Sequence, residues 1–322
     1  MARRAARRAR ARLSSAFLGA AVCASACSRP DEPAPAVPPS ATTAAVEPPP
    51  RVLFLPDAAA HPGPVVVTPP PARSGRCPSD MVDVLGRFCI DRYEATLSDS
   101  GTGRLLSQFY YPTPEITRRE YERWQRRKRD MDTALGAILA VPAPEEWELT
   151  ATRFEPVASS VPDVIPHGYL SGRTAEHSCA NAGKRLCRIE EWVTACRGQQ
   201  NRKFPYGEQY VEGACNVCRA THPARALHGN ASIGHLDPRL NLVTEDGDPL
   251  LRKTGATPRC KSEWGTDAVY DMVGNLDEWI DDPEGTFVGG FFSRGTHEGC
   301  DSIIEVHDYT YYDYSLGVRC CK

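Results

Sequence analysis

Eleven cysteines lie between Cys77 and Cys321, and no other feature of the sequence limits the possible folds as strongly. In an exported chain such residues are most economically used as disulfides. An odd number leaves at least one unpaired or joined to another chain. Cys77 and Cys89 flank a short predicted strand pair, Met81 to Leu85 and Phe88 to Tyr93, and are the first expected bridge. Cys300 is expected to be clasped by Cys320 or Cys321, with a reactive thiol as the alternative. Cys215-Asn216-Val217-Cys218 has the C-x-x-C spacing of redox and zinc sites. Neither a second such pair nor a thioredoxin-like strand and helix accompanies it, so disulfide use is expected there too.

Export is read from the other end of the chain. Six arginines between Arg3 and Arg12 precede 14 apolar or small residues, Leu13 to Ala26, too few to span a membrane and suited to a signal peptide over residues 1–27. Ala24-Ser25-Ala26-Cys27 resembles a bacterial lipoprotein cleavage box, with Ala24 where leucine is usual. It makes Cys27 the expected lipidation site, an ordinary signal peptide cut nearby being the alternative. Residues 28–76 hold 14 of the 28 prolines and cannot bury a core. Such a segment is an extended spacer, whose roughly 45 residues reach about 140 Å from an anchor. The expected location is the cell envelope, periplasmic or cell-surface, with membrane attachment through lipid. A net charge of −3 argues against nucleic acid as a main partner. The partner implied is an unidentified protein or small molecule at the envelope.

The 246 residues from Cys77 to Lys322 suffice for one large domain. Thr113-Pro114 offers a helix cap and a first-turn proline, and the charged run to Gly136 reads as a surface helix within a helical insertion at about 98–165. A second helix is expected from Thr174 to Gly183. A third is expected over Ile189 to Arg197, where Ile189, Trp192, Val193 and Cys196 recur at i, i+3, i+4 and i+7 before Gly198. Glu190 and Glu191 suit the positive end of that helix dipole, a capping rather than catalytic use. Alternation from Ile303 to Tyr314 predicts a strand.

The chemistry concentrates in Val269-Tyr270-Asp271-Met272-Val273-Gly274-Asn275-Leu276-Asp277-Glu278-Trp279. Asp271 and Glu278 flank a Gly-Asn pair that favours a turn. Two carboxylates and alternate backbone carbonyls on one turn suit a hard cation such as calcium; the plainer reading is a loop between core residues. This segment resembles the Y-D-M-x-G-N-x-x-E-W signature of the formylglycine-generating enzymes, or sulfatase-modifying factors. Gly183-Lys184-Arg185-Leu186-Cys187-Arg188-Ile189-Glu190-Glu191-Trp192 resembles the family's G-K-R-L-P-T-x-x-E-W, and Phe204-Pro205-Tyr206-Gly207 its Y-P-W-G. Gly289-Gly290 and Leu316-Gly317-Val318-Arg319-Cys320 resemble the closing segments, and Phe88 to Glu94 matches more loosely.

The resemblance implies an α+β, C-type-lectin-like fold, loop-rich with little regular secondary structure. It implies calcium held by the side chains of Asp271 and Glu278 and the carbonyls of Gly274 and Leu276, with a second site starting at Asn216 and Val217. The family's oxidase binds copper through two cysteines shortly after the Gly-Gly, since soft thiolates take Cu(I) as a pair. Here Arg294 stands at the first position and Gly299 at the second, beside Cys300, so copper is not expected and Cys300 is the remaining candidate for thiol catalysis. Two weaker metal sets are His222, His228 and His235, and His297, Glu298, Asp301, His307 and Asp308. Phe291, Phe292, Tyr309, Tyr311, Tyr312 and Tyr314 are read as core or strand face, a groove lining being the alternative. The expected function is binding or structural work at the envelope; the alternative is an oxidoreductase of the same family.

Overall fold

The computed structural model describes residues 76–322, and the expected signal peptide, the Cys27 lipidation site and nearly all of the Pro-rich spacer lie outside the described residues. Two small four-stranded sheets organise what is described. In the first, β1 (Met81–Val84) and β2 (Phe88–Asp91) form a hairpin. Its turn places Leu85 and Gly86 at φ of 57° and 65°, so the first strand stops at Val84, one residue earlier than the sequence suggested. β14 (Cys320–Cys321) inserts between β2 and β5 (Arg185–Leu186). In the second sheet the order is β12 (Ile303–Ile304), β11 (Phe287–Val288), β10 (Asp277–Trp279) and β13 (Leu316–Val318), with β10 and β13 parallel.

The expected strand from Ile303 to Tyr314 is therefore only its first two residues. Beyond Ile304 the chain is captured by local side-chain bonds. Asp308 accepts the Thr310 N–H and Asp313 accepts the Ser315 N–H, each at 2.8 Å, and such turns compete with a sheet ladder.

Helix α5 (Ile189–Arg197) has the expected bounds, buries Trp192, Ala195 and Cys196, and stops at Gly198, whose φ is 66°. Glu191 accepts the Arg188 N–H and a two-pronged Arg185 pair, confirming a capping role. Helix α4 (Gly172–Asn181) begins two residues before the expected start because Ser171 caps the Thr174 N–H at 3.2 Å. The charged run is not one helix reaching Gly136. It forms α1 (Pro114–Arg127), a 3₁₀ turn (Lys128–Asp130) and, after a fresh Thr133 cap, α2 (Ala134–Ile138). Nor is α1 only a surface helix, since Thr117, Glu120 and Trp124 are buried. After α3 (Glu146–Thr150), β4 (Pro156–Ser160) pairs with β3 (Ala95–Asp99) along its whole length, so the insertion rejoins the domain as a strand. Helix α6 (Pro223–His228) and the hairpins β6 (Thr244–Glu245) with β7 (Asp248–Pro249) and β8 (Lys261–Trp264) with β9 (Asp267–Tyr270) complete the domain.

Five disulfides cross this fold: Cys77–Cys89, Cys179–Cys320, Cys187–Cys321, Cys196–Cys300 and Cys215–Cys260. The first is as expected. The expected Cys300 clasp to Cys320 or Cys321 is not what forms. Cys196 ends the buried stripe of α5 and meets Cys300 in the 3₁₀ turn Gly299–Asp301, while β14 sends its two cysteines to the segments on either side of β5. Cys218 is the one free cysteine among the described residues.

Candidate functional site

The signature segment forms a turn between β9 and β10. Asp271, Gly274 and Asn275 take φ of 58°, 86° and 62°. At Gly274 a Cβ would run into the Asn216 carbonyl, so only glycine lets the two chains approach. Asn216 donates its amide to Asn275 Oδ1 at 2.9 Å, and its carbonyl accepts the Asn275 N–H at 2.9 Å. Glu278 is buried and takes Arg319 Nη2 at 2.8 Å, Arg319 Nε at 3.0 Å and Trp192 Nε1 at 2.6 Å. Arg319 also donates to the carbonyls of Asp91 at 2.9 Å and Tyr270 at 2.8 Å, so one guanidinium ties three segments together.

Two further buried carboxylates act on the same arginine. Glu94 accepts the Asn275 amide at 2.5 Å and the Leu276 N–H at 2.9 Å, and Asp271 accepts the Gly255 N–H at 2.7 Å. Burial pushes Glu94 well above the usual carboxylate range and Asp271 up to about 7. The positions implied for calcium do not fit that ion. Glu278 is already engaged by three donors, and a dication there would face the Arg319 guanidinium. At the second implied site the Asn216 side-chain NH₂ bonds the Leu250 carbonyl and Asn275 Oδ1 and its backbone carbonyl accepts the Asn275 N–H, while its Oδ1, the atom a cation would use, is buried without a hydrogen-bond partner. Among the described residues, no group of three or more His, Cys, Asp or Glu side chains is arranged for a metal.

A second constellation follows the Gly-Gly. Arg294 donates to Asp277 Oδ1 at 2.8 Å and lies over the rings of Phe291 and Phe287, 5.1 and 6.0 Å from their centroids. Asp277 is fully buried and its Oδ2 has no hydrogen-bond partner. Burial, opposed by Arg294, pushes this carboxyl up to about 7. Thr296 Oγ1 is a second buried orphan; it would collide with a Cβ on Gly290, whose φ is 80°. Nearby, Tyr311 donates to Asp313 at 2.7 Å and stacks on His307 at 3.8 Å, which in turn stacks on Phe287 at 5.9 Å.

The two sequence-derived histidine sets are dispersed. His228 pairs with Asp237 at 3.2 Å, while His222 and His235 pack around Tyr314. Burial and the neighbouring His235 and Arg225 push His222 down to about 4, so it is neutral over the physiological range. His297 packs at a tilt against Tyr210, Asp301 pairs with Arg197 at 2.6 Å, and His307 belongs to the ring stack. Of the six late aromatics, Phe291, Phe292 and Tyr314 are core, and Tyr309 and Tyr311 pack against it. Cys300 is fully buried and offers a disulfide sulfur in place of a nucleophilic thiol.

With this geometry in hand, the comparison with known families is decisive: residues 61–289 match the model of the sulfatase-modifying factor enzyme 1-like domain. The chain belongs to that family. As a sulfatase-modifying-factor domain it has the family's α+β, C-type-lectin-like fold. Among solved structures it is similar to PvdO from Pseudomonas aeruginosa, at 14% identity over 73% of this chain and 79% of that one, with a TM-score of 0.34. It is also similar to CarF, at 13% identity over 73% of this chain and 85% of that one, with a TM-score of 0.31. No curated protein matches it.

In this sulfatase-modifying-factor domain the residues that sequence reading missed are the buried partners. Asp277 sits inside the signature and Glu94 inside the looser motif, yet neither was given a role. A carboxylate at a buried strand position was the available signal, since such a group demands a partner. Asp313 lay in a stretch read as a strand, which hid its turn-making role.

Proposed function

We propose that this chain is an exported, lipid-anchored protein whose sulfatase-modifying-factor domain binds a ligand or partner at the cell envelope and does not act as the family's copper oxidase. The supporting observation is Arg294. It stands at the first oxidase cysteine position, and its guanidinium is paired with buried Asp277 and packed against two phenylalanines. The only nearby cysteine of the motif, Cys300, is bridged to Cys196. Copper(I) capture needs a pair of soft thiolates, and an arginine supplies a repelling charge instead. Chemically, the site offers a half-exposed guanidinium, the Tyr311 and His307 rings and the Asp313 carboxylate, a set that holds and orients rather than transfers electrons.

The test is an oxygen-uptake assay of the full chain with copper(I) and a cysteine-containing peptide. Background consumption and no stoichiometric copper binding are expected; turnover would overturn the reading. Cys27→Ser is expected to move the protein from the membrane fraction to the soluble fraction, and retention in the membrane would remove the lipid anchor. One observation favours the alternative of an oxidoreductase. The Cys218 N–H donates to the Arg294 carbonyl at 3.0 Å, which sets a free thiol's backbone alongside the first cysteine position. Copper(I) binding lost in Cys218→Ser would select that alternative.

A further inference from the structure

Three cysteines belong to or pack against one apolar cluster. Cys215 and Cys260 are bridged and lie within it, 3% and 0% exposed, and Cys218 packs against it partly exposed. Cys218 follows Cys215 at the C-x-x-C spacing that closes readily into a disulfide. The intervening backbone is folded back on itself, with the Val217 N–H on the Cys215 carbonyl at 3.1 Å and Cys218 at a φ of 55°. A cleft of about 540 Å³ is lined by the chain neighbours of Cys260. Its lining includes Pro258, Arg259 and Lys261, which bracket Cys260, and Tyr206, which packs with Cys218 on the same cluster.

We propose that Cys218 and the Cys215–Cys260 bridge form a thiol–disulfide exchange centre. The Cys218 thiolate attacks Cys215 Sγ, so that a Cys215–Cys218 bond forms and the Cys215–Cys260 bond breaks. The electron pair leaves on Cys260 Sγ, which takes up a proton equivalent to the one Cys218 gave up. Nothing is oxidised or reduced overall, and neither a metal nor oxygen enters, so the step stands whether or not the domain is an oxidase. The exchange trades a partly exposed thiol for one buried in the core. It also acts on the segment that latches the signature turn, because Asn216 lies between the two cysteines and holds Asn275 at 2.9 Å through both amide and carbonyl.

The test is a time course on the folded full chain at pH 8, quenched in acid, alkylated and mapped by mass spectrometry. A growing fraction is expected to carry the label on Cys260 together with a Cys215–Cys218 disulfide, the other four bridges staying intact. In Cys218→Ser, no label is expected on Cys260 at any time, with the thermal midpoint measured alongside to show that the variant is folded. Label confined to Cys218 throughout would overturn the proposal. So would shuffling that spreads over all the bridges, or Cys260 labelling that persists in folded Cys218→Ser.

Discussion

Arg239 and Arg319 are both fully buried, but they solve the problem of an interior charge in opposite ways. Arg239 faces a single carboxylate, Asp237, which His228 also contacts. It makes a two-pronged pair with Asp237 and donates to the Gly136 carbonyl at 2.6 Å, with Trp124 at 6.0 Å, and so fixes the helical insertion to the domain without a disulfide. Arg319 is outnumbered. Glu278 contacts it, and Glu94 and Asp271 act on it from close by, beneath a sheet that two disulfides hold in place. A matched pair is insensitive to mild pH change, whereas an excess of buried acid must be relieved by protons. Covalent closure around Arg319 accommodates an electrostatic imbalance that the insertion side avoids.

The largest effect expected is on the matched side. Arg239→Met strands Asp237 in the core and should cost about 3–5 kcal/mol in urea unfolding, with loss of the α2 contact. Arg319→Met strands more acid, yet its deficit is expected to shrink at pH 5 relative to pH 8, because its neighbours can take up protons. An equal deficit at both pH values would break the comparison. Next, replacing Cys179 and Cys320 together by serine opens a loop of 141 residues, and should lower stability by about 2–4 kcal/mol, less than the isolated-loop limit because other bridges remain.

Third is pH itself. Folding raises Asp271 and Asp277 to about 7, so the folded chain takes up protons. The stability these groups contribute is fully present below their unfolded values near pH 4 and is lost as pH rises through about 7. The thermal midpoint should therefore fall between pH 5 and pH 8, by an amount equivalent to about 2–3 kcal/mol per group, and Asp271→Asn should flatten the profile. Smallest is Glu122→Ala on α1, where the pair with Arg126 is exposed on both sides; no more than about 0.5 kcal/mol is expected.

How much of this was legible depended on whether the signal was local. The α5 stripe from Ile189 to Cys196 carries its own periodicity and its own stop at Gly198, and its bounds followed. The motif residues Gly274, Asn275, Glu278 and Arg319 were likewise visible, because each repeats a family pattern at fixed spacing. Pairing across long separations was not legible. Nothing local in Cys300 distinguishes Cys196 from Cys320, and the choice is made by a helix face meeting a 3₁₀ turn about a hundred residues away. The ion pair at the signature turn was hidden for the same reason. Two carboxylates on one loop look like an empty metal cradle until Arg319 arrives from the other end of the chain.

The order in which β14 is made has a consequence for biogenesis. Cys179 and Cys187 find their partners 141 and 134 residues later, at Cys320 and Cys321. At roughly 5–20 residues per second, the ribosome needs about 7–28 seconds to cover that interval. Throughout it, both thiols lack their native partners, with Cys196, Cys215 and Cys218 following them as wrong partners. The sheet also lacks its central member until then, since β14 separates β2 from β5. Closure of the sheet and of both bridges thus waits on β14, and a nascent chain cut short of it is left with unpaired sulfur and an open sheet.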